Sequence, residues 1–151
     1  MEIVEFSERP DLIERGIQFY IDNWANDSNF MFYQDCILNS LNPDNLLPKF
    51  YLLLDNDQII GSYALLRNDL VSRQDITPWF ACLYVNADQR NKGLAELLLN
   101  HGVQEAKAKG FNTLYLITDL VNYYERKGWN YLGVGYGITG SKTKIYYKST
   151  I

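Results

Sequence analysis

The sequence is poor in residues that bind metals or form disulfides. Its 151 residues include one histidine and two cysteines, Cys36 and Cys82, which lie far apart along the chain. A structural zinc site needs cysteines or histidines paired at short spacings, so we expect no metal. The two isolated cysteines are typical of free thiols in a reducing cytoplasm rather than of a disulfide framework.

Long apolar runs and an excess of positive charge are also missing. The apolar stretches are short strands, such as the Tyr-Leu-Leu-Leu run at 51–54 and the apolar strand at 79–85, whereas a membrane span needs about 20 apolar residues. The N-terminal segment is acidic and lacks the apolar core of a secretory signal. The net charge of −4 argues against binding nucleic acid through bulk charge. We therefore expect a cytoplasmic protein that has neither a membrane nor a nucleic acid as a partner.

The sequence does have the composition of a globular domain. Hydrophobic residues make up 47% of it and charged residues 21%, and its length lies at the upper end of the usual range of about 100–150 residues. It contains no repeat, low-complexity stretch or linker. We predict a single domain over residues 1–151.

Hydrophobic periodicity predicts an α+β chain with the element order βααβββαβαββ. Ser7 or Asp11 would cap the first helix, and the polar tripeptide at 55–57 predicts a tight hairpin. A helix between the strands at 79–85 and 113–117 indicates a parallel crossover, so we predict a mixed, mostly antiparallel sheet with helices on both faces. The predicted strands are 2–6, 50–54, 58–66, 79–85, 113–117, 129–137 and 142–148, and the predicted helices are 10–24, 28–41, 93–109 (closed by Gly110) and 120–127 (closed by Gly128).

Two cations precede the long helix at 93–109. Arg90 and Lys92 oppose the helix macrodipole, because the free N–H groups of the first turn already make this end positive. An anion bound at the helix start would resolve the conflict, and the small residues Gly93 and Ala95 would let phosphate oxygens approach the backbone. Alternatively, both cations extend into water at a cost of a few tenths of a kcal/mol. The charge pattern alone does not choose between these readings.

Two segments resemble motifs of one known family. Val85 followed by the segment 90–95 is similar to the R/Q-x-x-G-x-G/A pyrophosphate loop of the GNAT superfamily of N-acetyltransferases, with alanine at 95 in place of the commoner glycine. The segment 123–129, Tyr-Tyr-Glu-Arg-Lys-Gly-Trp, resembles the family's (F/L)YEKxGF segment, with tryptophan in place of phenylalanine. The predicted element order is similar to the GNAT fold along essentially the whole chain. The segment 77–85 also resembles a bacterial subgroup whose substrates are mostly unassigned.

The resemblance implies an acetyl-CoA-dependent N-acetyltransferase. Acetyl-CoA would be the acyl donor, and a small-molecule or protein amine would accept the acetyl group by direct transfer in a ternary complex. The backbone of Leu83 and Val85 would hold the pantetheine arm, with the Leu83 N–H aimed at the thioester oxygen. The implied CoA-binding residues are Leu83, Tyr84, Val85, Arg90, Asn91, Lys92, Gly93, Leu94, Ala95, Asn122 and Tyr124.

Tyr124 matches the family tyrosine that often serves as the general acid. The leaving thiolate has a conjugate pKa of roughly 8–9. A phenol with a pKa of about 10 is still protonated at neutral pH and could protonate the sulfur. The alternative is a structural tyrosine that packs on the sheet with its hydroxyl at the rim.

The strand at 79–83 departs from the family pattern, because it contains no glutamate where many members carry a general base. A water chain, Asp75 or Glu5 could take the proton of the amine instead. The missing glutamate also leaves open a catalytically silent acyl-CoA-binding or regulatory module. A third reading is an acyltransferase that uses a longer acyl-CoA.

Three further features have both a functional and a structural interpretation. Cys82 has no histidine paired with it in a recognisable motif, so we expect an inert cysteine rather than a nucleophile. The acidic segments 55–57 and 69–75 would suit a cationic amine, but solvated turns explain them equally well. The edge strand of the last hairpin could pair in a homodimer.

Overall fold

The computed structural model describes residues 1–151 and contains one seven-stranded sheet with the strand order β1-β2-β3-β4-β5-β7-β6. Strands β4 and β5 are parallel, whereas β1–β2, β5–β7 and β6–β7 are antiparallel. The predicted mixed, mostly antiparallel α+β fold is confirmed. The elements are β1 Glu2–Glu5, α1 Ile13–Trp24, α2 Phe30–Asn39, β2 Lys49–Asp55, β3 Gln58–Leu66, β4 Trp79–Val85, α3 Leu94–Ala108, β5 Thr113–Thr118, β6 Asn130–Tyr136 and β7 Lys142–Ser149.

Backbone contacts divide the chain into two compact units. The first contains residues 1–64 and 82–98, and the second contains residues 65–81 and 99–151. The chain passes from one unit to the other within β3, within β4 and within α3. The single domain that the sequence suggests stays a prediction. None of the helices is long and apolar enough to cross a bilayer.

The core of the first unit is built around β2 and β3. Both strands are buried over most of their length, as expected for continuous apolar runs covered on two faces. Tyr20 of α1 is fully buried, and its hydroxyl lies 2.9 Å from the carbonyl oxygen of Tyr51 and 2.6 Å from that of Tyr63. A buried hydroxyl without a partner would be destabilising, so these two carbonyls fix where α1 packs.

The hairpin between β2 and β3 turns at Asn56 and Asp57, whose φ angles are 50° and 67°. A two-residue type I′ turn requires positive φ at both positions, and asparagine and aspartate adopt it more readily than most residues. The tight hairpin predicted from the polar tripeptide is confirmed.

The second unit packs the segment 65–81 against β5, β6 and β7. Val71, Trp79 and Ile145 form its buried cluster. Gly135 of β6 allows close packing there, because a Cβ at this position would lie 2.8 Å from side-chain carbons of both Val71 and Ile145. The segment between β3 and β4 therefore packs directly on the last hairpin.

Strand β6 is one edge of the sheet, and the β3–β4 segment covers one end of this strand. The Ser72 N–H donates to the Tyr136 carbonyl at 2.8 Å, the Tyr136 N–H donates to Ser72 Oγ at 3.0 Å, and Val71 bridges to Gly137. The β6–β7 turn is closed by Gly140, which has a φ of 86° and donates to the Gly137 carbonyl. The homodimer suggested by the exposed edge stays a prediction.

Two local predictions are wrong. The segment 120–127 is not a helix: only Glu125–Lys127 forms a 3-10 turn, because Asn122 has a φ of 60° and interrupts any helical run. Neither Ser7 nor Asp11 caps the first helix. Two 3-10 turns precede α1, and the Glu5 carboxylate accepts the Ser7 N–H at the first of them.

The C-terminus of α3 agrees with the sequence. Gly110 has a φ of 90°, and its N–H donates to the Lys107 carbonyl at 3.0 Å. The Phe111 N–H donates to the Ala106 carbonyl, also at 3.0 Å. A left-handed glycine that returns two N–H groups to the last turn is the usual way to end a helix.

Packing of α1 predicts the outcome of a substitution at Gly16. A Cβ there would lie 2.7 Å from two ring atoms of buried Phe6 and 3.0 Å from Leu52 Cδ1. Gly16→Val should therefore lower stability by about 2 kcal/mol and the Tm by about 4–8 °C in thermal unfolding. Gln18→Val places the same residue on the exposed face of α1 and is the control. Equal losses in both variants would show that the contact with Phe6 and Leu52 does not determine the effect.

Candidate functional site

The connection from β4 to α3 leaves backbone N–H groups unpaired within the helix. Asn91 and Gly93 both adopt left-handed backbone conformations, with φ of 64° and 76°. The Leu97 N–H donates to the Gly93 carbonyl at 3.1 Å, four residues earlier, at the start of the helical hydrogen bonds. The N–H groups of Leu94 and Ala95 lie before this first bonded N–H group, so they have no acceptor within the helix.

Open space lies in front of Gly93. A Cβ built at this position meets no other atom within 4 Å. The glycine is thus required by its positive φ and not by a neighbouring atom of the chain. Such a space beside free helix N–H groups suits phosphate oxygens, which accept hydrogen bonds from that end of a helix.

The two cations of this connection are both held by neighbouring groups. Arg90 donates through Nε to the Val85 carbonyl at 3.0 Å, and its guanidinium carbon lies 5.6 Å from the centre of the Tyr84 ring. Lys92 Nζ lies 3.0 Å from Gln89 Oε1. The side chains are therefore kept at the start of α3, although each one adds positive charge to a helix end that is already positive.

Strand β4 is interrupted at Cys82, which has a φ of 55°. A left-handed conformation at a residue other than glycine costs roughly 1–2 kcal/mol. The fully buried Ser62 donates through Oγ to the Cys82 carbonyl at 3.0 Å and holds this conformation. The irregularity breaks the two-residue alternation of the strand immediately before Leu83.

Gly61 of β3 allows the backbone of β4 to approach closely at Tyr84. A Cβ at Gly61 would lie 2.9 Å from the Tyr84 carbonyl oxygen. Leu83 and Tyr84 are partly exposed, in contrast to the buried start of the strand at 79–81. The partly exposed end of β4 therefore depends on residues of β3 that the sequence analysis did not identify.

Tyr124, in the second unit, has a buried ring and a hydroxyl at the surface. Its ring lies 4.9 Å from that of Tyr123, 6.2 Å from Trp129 and 6.0 Å from Tyr146. Burial, and to a smaller degree Tyr123, raises the pKa of Tyr124 to about 12. No hydrogen bond engages its hydroxyl, and no buried side-chain oxygen lacks a partner, so the hydroxyl reaches the surface. Tyr124 is therefore a neutral phenol at physiological pH, and burial makes it a weaker acid than an ordinary tyrosine.

A short turn fixes the position of Tyr124. Its carbonyl accepts the N–H groups of Lys127 and Trp129, both at 3.0 Å. Glu125 accepts the Tyr146 hydroxyl at 2.6 Å, and this bond raises the pKa of Tyr146 to about 12 while lowering that of Glu125. The turn is thereby tied to β7 directly beside the Tyr124 ring.

Both carboxylates considered as a general base have other partners. Glu5 lies 3.6 Å from Lys49 Nζ and also accepts the Ser7 N–H. Asp75 receives two hydrogen bonds of 2.8 Å from Arg73, which lower its pKa to about 2. A general base works best with a pKa near the operating pH, so Asp75 is poorly suited to this role.

The family match decides the class of the chain. The sequence model of the acetyltransferase (GNAT) family matches residues 13–129. The chain belongs to the GNAT acetyltransferase family.

Solved structures of other GNAT proteins share the fold. An aminoglycoside 6′-N-acetyltransferase from Enterococcus faecium is 18% identical with a TM-score of 0.75, covering 100% of this chain and 98% of that one. A GNAT acetyltransferase from Elizabethkingia anophelis with acetyl-CoA bound is 17% identical with a TM-score of 0.62, covering 86% and 87%. A spermidine/spermine N-acetyltransferase from Vibrio cholerae is 18% identical with a TM-score of 0.67, covering 99% and 92%. No curated protein sequence matches.

The residues that the GNAT motifs single out fall in both units. Those at 83–85 and 90–95 lie together in the first unit, and Asn122 and Tyr124 lie in the second. Asn122 is exposed and left-handed. The roles of Gly61, Ser62 and Tyr146 are not among the sequence-based predictions. Only Gly61 gave a signal, because a glycine inside a strand pattern often marks a close backbone approach.

The raised pKa of Tyr124 predicts a loss of stability at high pH. The unfolded chain releases this proton near pH 10 and the folded chain near pH 12, so stability is complete below pH 10 and falls as the pH rises to 12. Denaturant unfolding should therefore show a loss between pH 9 and pH 12 that is about 2–3 kcal/mol larger for the wild type than for Tyr124→Phe. The same loss in both proteins would contradict the assigned burial of this phenol.

Proposed function

We propose that this GNAT protein transfers the acetyl group of acetyl-CoA to an amine, in a small molecule or a protein, by direct transfer in a ternary complex. The observation that carries the proposal is the open space over left-handed Gly93 beside the free N–H groups of α3. The family of the chain and the acetyl-CoA bound in the Elizabethkingia anophelis structure support the same donor.

The residues of β4 and its connection to α3 bind the donor. The N–H groups of the segment 90–95 receive the pyrophosphate, and Arg90 and Lys92 add positive charge beside it. The backbone of Leu83 and Val85 receives the pantetheine arm. This role is consistent with the irregularity at Cys82, which interrupts the regular strand just before Leu83.

The chemistry requires one bond to form and one to break. The amine nitrogen attacks the thioester carbonyl, the new C–N bond forms, and the C–S bond breaks. The Leu83 N–H stabilises the negative charge that develops on the carbonyl oxygen. Tyr124 gives its proton to the leaving sulfur and recovers one from solvent, while the proton lost by the amine passes to a base.

A silent acyl-CoA-binding module is the second candidate, because the start of β4 carries no carboxylate. A panel of amines, assayed for release of the free CoA thiol, separates the two functions. Amine-dependent release supports the transferase, whereas tight binding of acetyl-CoA without release for any amine supports the silent module. The same panel run with longer acyl-CoA donors tests the remaining reading, that of a longer-chain acyltransferase.

A substitution at Gly93 tests the binding of the donor. Calorimetry should give a micromolar Kd for acetyl-CoA, roughly −7 to −8 kcal/mol, and Gly93→Val should weaken binding at least tenfold, because the side chain fills the space over the residue. Gly110→Val is the matched control. Gly110 ends the same helix with a φ of 90° and equally open space, so it carries the same backbone strain. Equal binding by the two folded variants would mean that the space over Gly93 holds no ligand.

Tyr124→Phe tests the proposed proton transfer. The substitution keeps the packing of the ring and removes only the hydroxyl. With a working acceptor, kcat should fall by roughly 10²–10⁴ while the Kd of acetyl-CoA changes little. Tyr123→Phe is the control, because this neighbour packs edge-on against the same ring. Full activity of Tyr124→Phe would return Tyr124 to a structural role.

A further inference from the structure

The outward face of α2, formed by Met31, Phe32, Asp35 and Leu38, is mostly apolar. Met31, Asp35 and Leu38 stand at i, i+4 and i+7, so they form one row along two turns of the helix. Met31 is 55% exposed, Phe32 50% and Leu38 45%. The helix meets the core through Ile37, which is fully buried. Helix α2 therefore buries one side and leaves apolar side chains in water on another.

Helices α1 and α3 have mostly polar exposed positions. These include Glu14, Gln18, Asp22, Glu96, Asn100 and Gln104. A helix that packs on a core usually turns such polar residues to water. The outward face of α2 departs from this pattern, and an exposed apolar patch in a soluble protein commonly marks an interaction site.

Hydrogen bonds at both ends hold α2 in place. At its start the Phe30 N–H donates to the Asn26 carbonyl at 3.1 Å. Beyond its end the buried Lys49 ammonium donates to the Ser40 carbonyl at 3.1 Å and lies 3.6 Å from the Glu5 carboxylate. The outward face of α2 is therefore a fixed surface, and a partner can dock on it without first ordering it.

The segment 16–48, which contains α2, carries the whole net charge of the protein. It includes four aspartates but no lysine, arginine or histidine. Of the 18 acidic residues, the 14 outside this segment equal the 14 lysines and arginines of the chain. All four aspartates are exposed and none forms an ion pair. They are Asp22, Asp27, Asp35 and Asp44.

This charge decides which occupant fits the outward face of α2. In a two-fold pair of α2 helices, the residues midway between Met31 and Leu38 would come nearest to their own counterparts, and Asp35 is one of them. Like charges brought together in an interface repel, which disfavours a second copy. The same aspartates oppose an anionic lipid surface, which attracts basic segments. A basic partner with an apolar stripe has the complementary charge and surface.

We propose that the outward face of α2 docks a basic amphipathic helix of a partner protein. The apolar stripe of that helix covers Met31, Phe32 and Leu38, and its lysines or arginines lie against Asp35 and the other aspartates of the segment 16–48. A row of side chains over two turns is the kind of surface on which a second helix packs. The docking surface supplies no reacting group, so this inference is independent of the proposed acetyl transfer.

Calorimetry with three synthetic peptides of equal length tests the surface on the whole protein. The first peptide has leucines along one helical face and lysines elsewhere, and the second has glutamate in place of each lysine. The third has the composition of the first in an order that gives no apolar face. The first peptide should bind at least about tenfold more tightly than either of the others. Equal affinity of the first peptide and either control, or no binding of the first, would overturn the proposal.

Leu38→Gln and Leu97→Gln are a matched pair of variants. Leu38 of α2 is 45% exposed and Leu97 of α3 is 44% exposed. Leu38→Gln should weaken binding of the leucine–lysine peptide at least about fivefold, because it removes apolar contact area, whereas Leu97→Gln should bind like the wild type. Met31→Gln repeats the measurement in the same row and serves if Leu38→Gln does not fold. Equal affinities of the α2 variants and Leu97→Gln would overturn the docking surface.

Asp35→Asn and Asp119→Asn test the charge in the same way. Both aspartates are exposed, and neither forms an ion pair. Asp35→Asn should weaken binding of the leucine–lysine peptide about threefold and reduce its dependence on salt, because one attraction to the peptide is lost. Asp119→Asn should leave both unchanged. The same affinity and salt dependence in both variants would overturn the part assigned to Asp35.

Two other occupants of the outward face of α2 are measured with the same variants. Sedimentation of the wild type should show no self-association that Leu38→Gln abolishes. Neither zwitterionic nor anionic phospholipid vesicles should bind the protein in a way that depends on Leu38. Self-association through Leu38 would assign the face to a second copy, and Leu38-dependent vesicle binding would assign it to a membrane. Either result would overturn the proposal.

Discussion

An α-helix leaves its first N–H groups without acceptors, and the proposed binding site for the acetyl donor is arranged around that requirement. At the start of α3 the chain adopts two left-handed residues, Asn91 and Gly93, and leaves open space over the second. Arg90 and Lys92 are held beside the same helix end, where they add to an unfavourable charge. A bound pyrophosphate would satisfy the N–H groups and the two cations together, which explains why a sequence would keep this arrangement.

The remaining parts of the site depend on buried polar contacts at some distance along the chain. Ser62 of β3 holds the left-handed conformation of Cys82, and the missing side chain of Gly61 admits the Tyr84 carbonyl. In the second unit the Tyr146–Glu125 hydrogen bond ties the turn of Tyr124 to β7. The first two contacts shape the β4 backbone on either side of Leu83, and the third holds the turn that carries Tyr124, so the groups of the proposed reaction depend on the packing of the scaffold.

The fold was predictable from the sequence where local signals were sufficient. The strand Trp79–Val85 has the predicted bounds, and the left-handed glycine Gly110 ends α3 as expected. The predicted helix at 120–127 failed because periodicity does not detect a left-handed asparagine such as Asn122. The predicted caps at Ser7 and Asp11 are wrong because the Glu5 carboxylate, from the end of β1, accepts the Ser7 N–H in the 3-10 turn that follows this strand.

The candidate site was predictable only in its two motifs. The irregularity at Cys82 could not be read from the sequence, since it depends on a hydrogen bond from a residue 20 positions earlier. The sequence also does not show which of the two aspartates, Asp69 or Asp75, forms an ion pair. Both are aspartates of one polar loop, and only the fold pairs one with Arg73 and leaves the other without a partner.

The binding of the donor at the start of α3 is the central claim, and site-resolved amide NMR tests it most directly. Titration with acetyl-CoA should shift the amide signals of Gly93, Leu94 and Ala95 and slow their hydrogen exchange, because these N–H groups gain an acceptor. The amides of Leu83 and Val85 should respond at the same ligand concentration. Saturation with acetyl-CoA that leaves all five amides unchanged, or that shifts only amides elsewhere, would contradict the account.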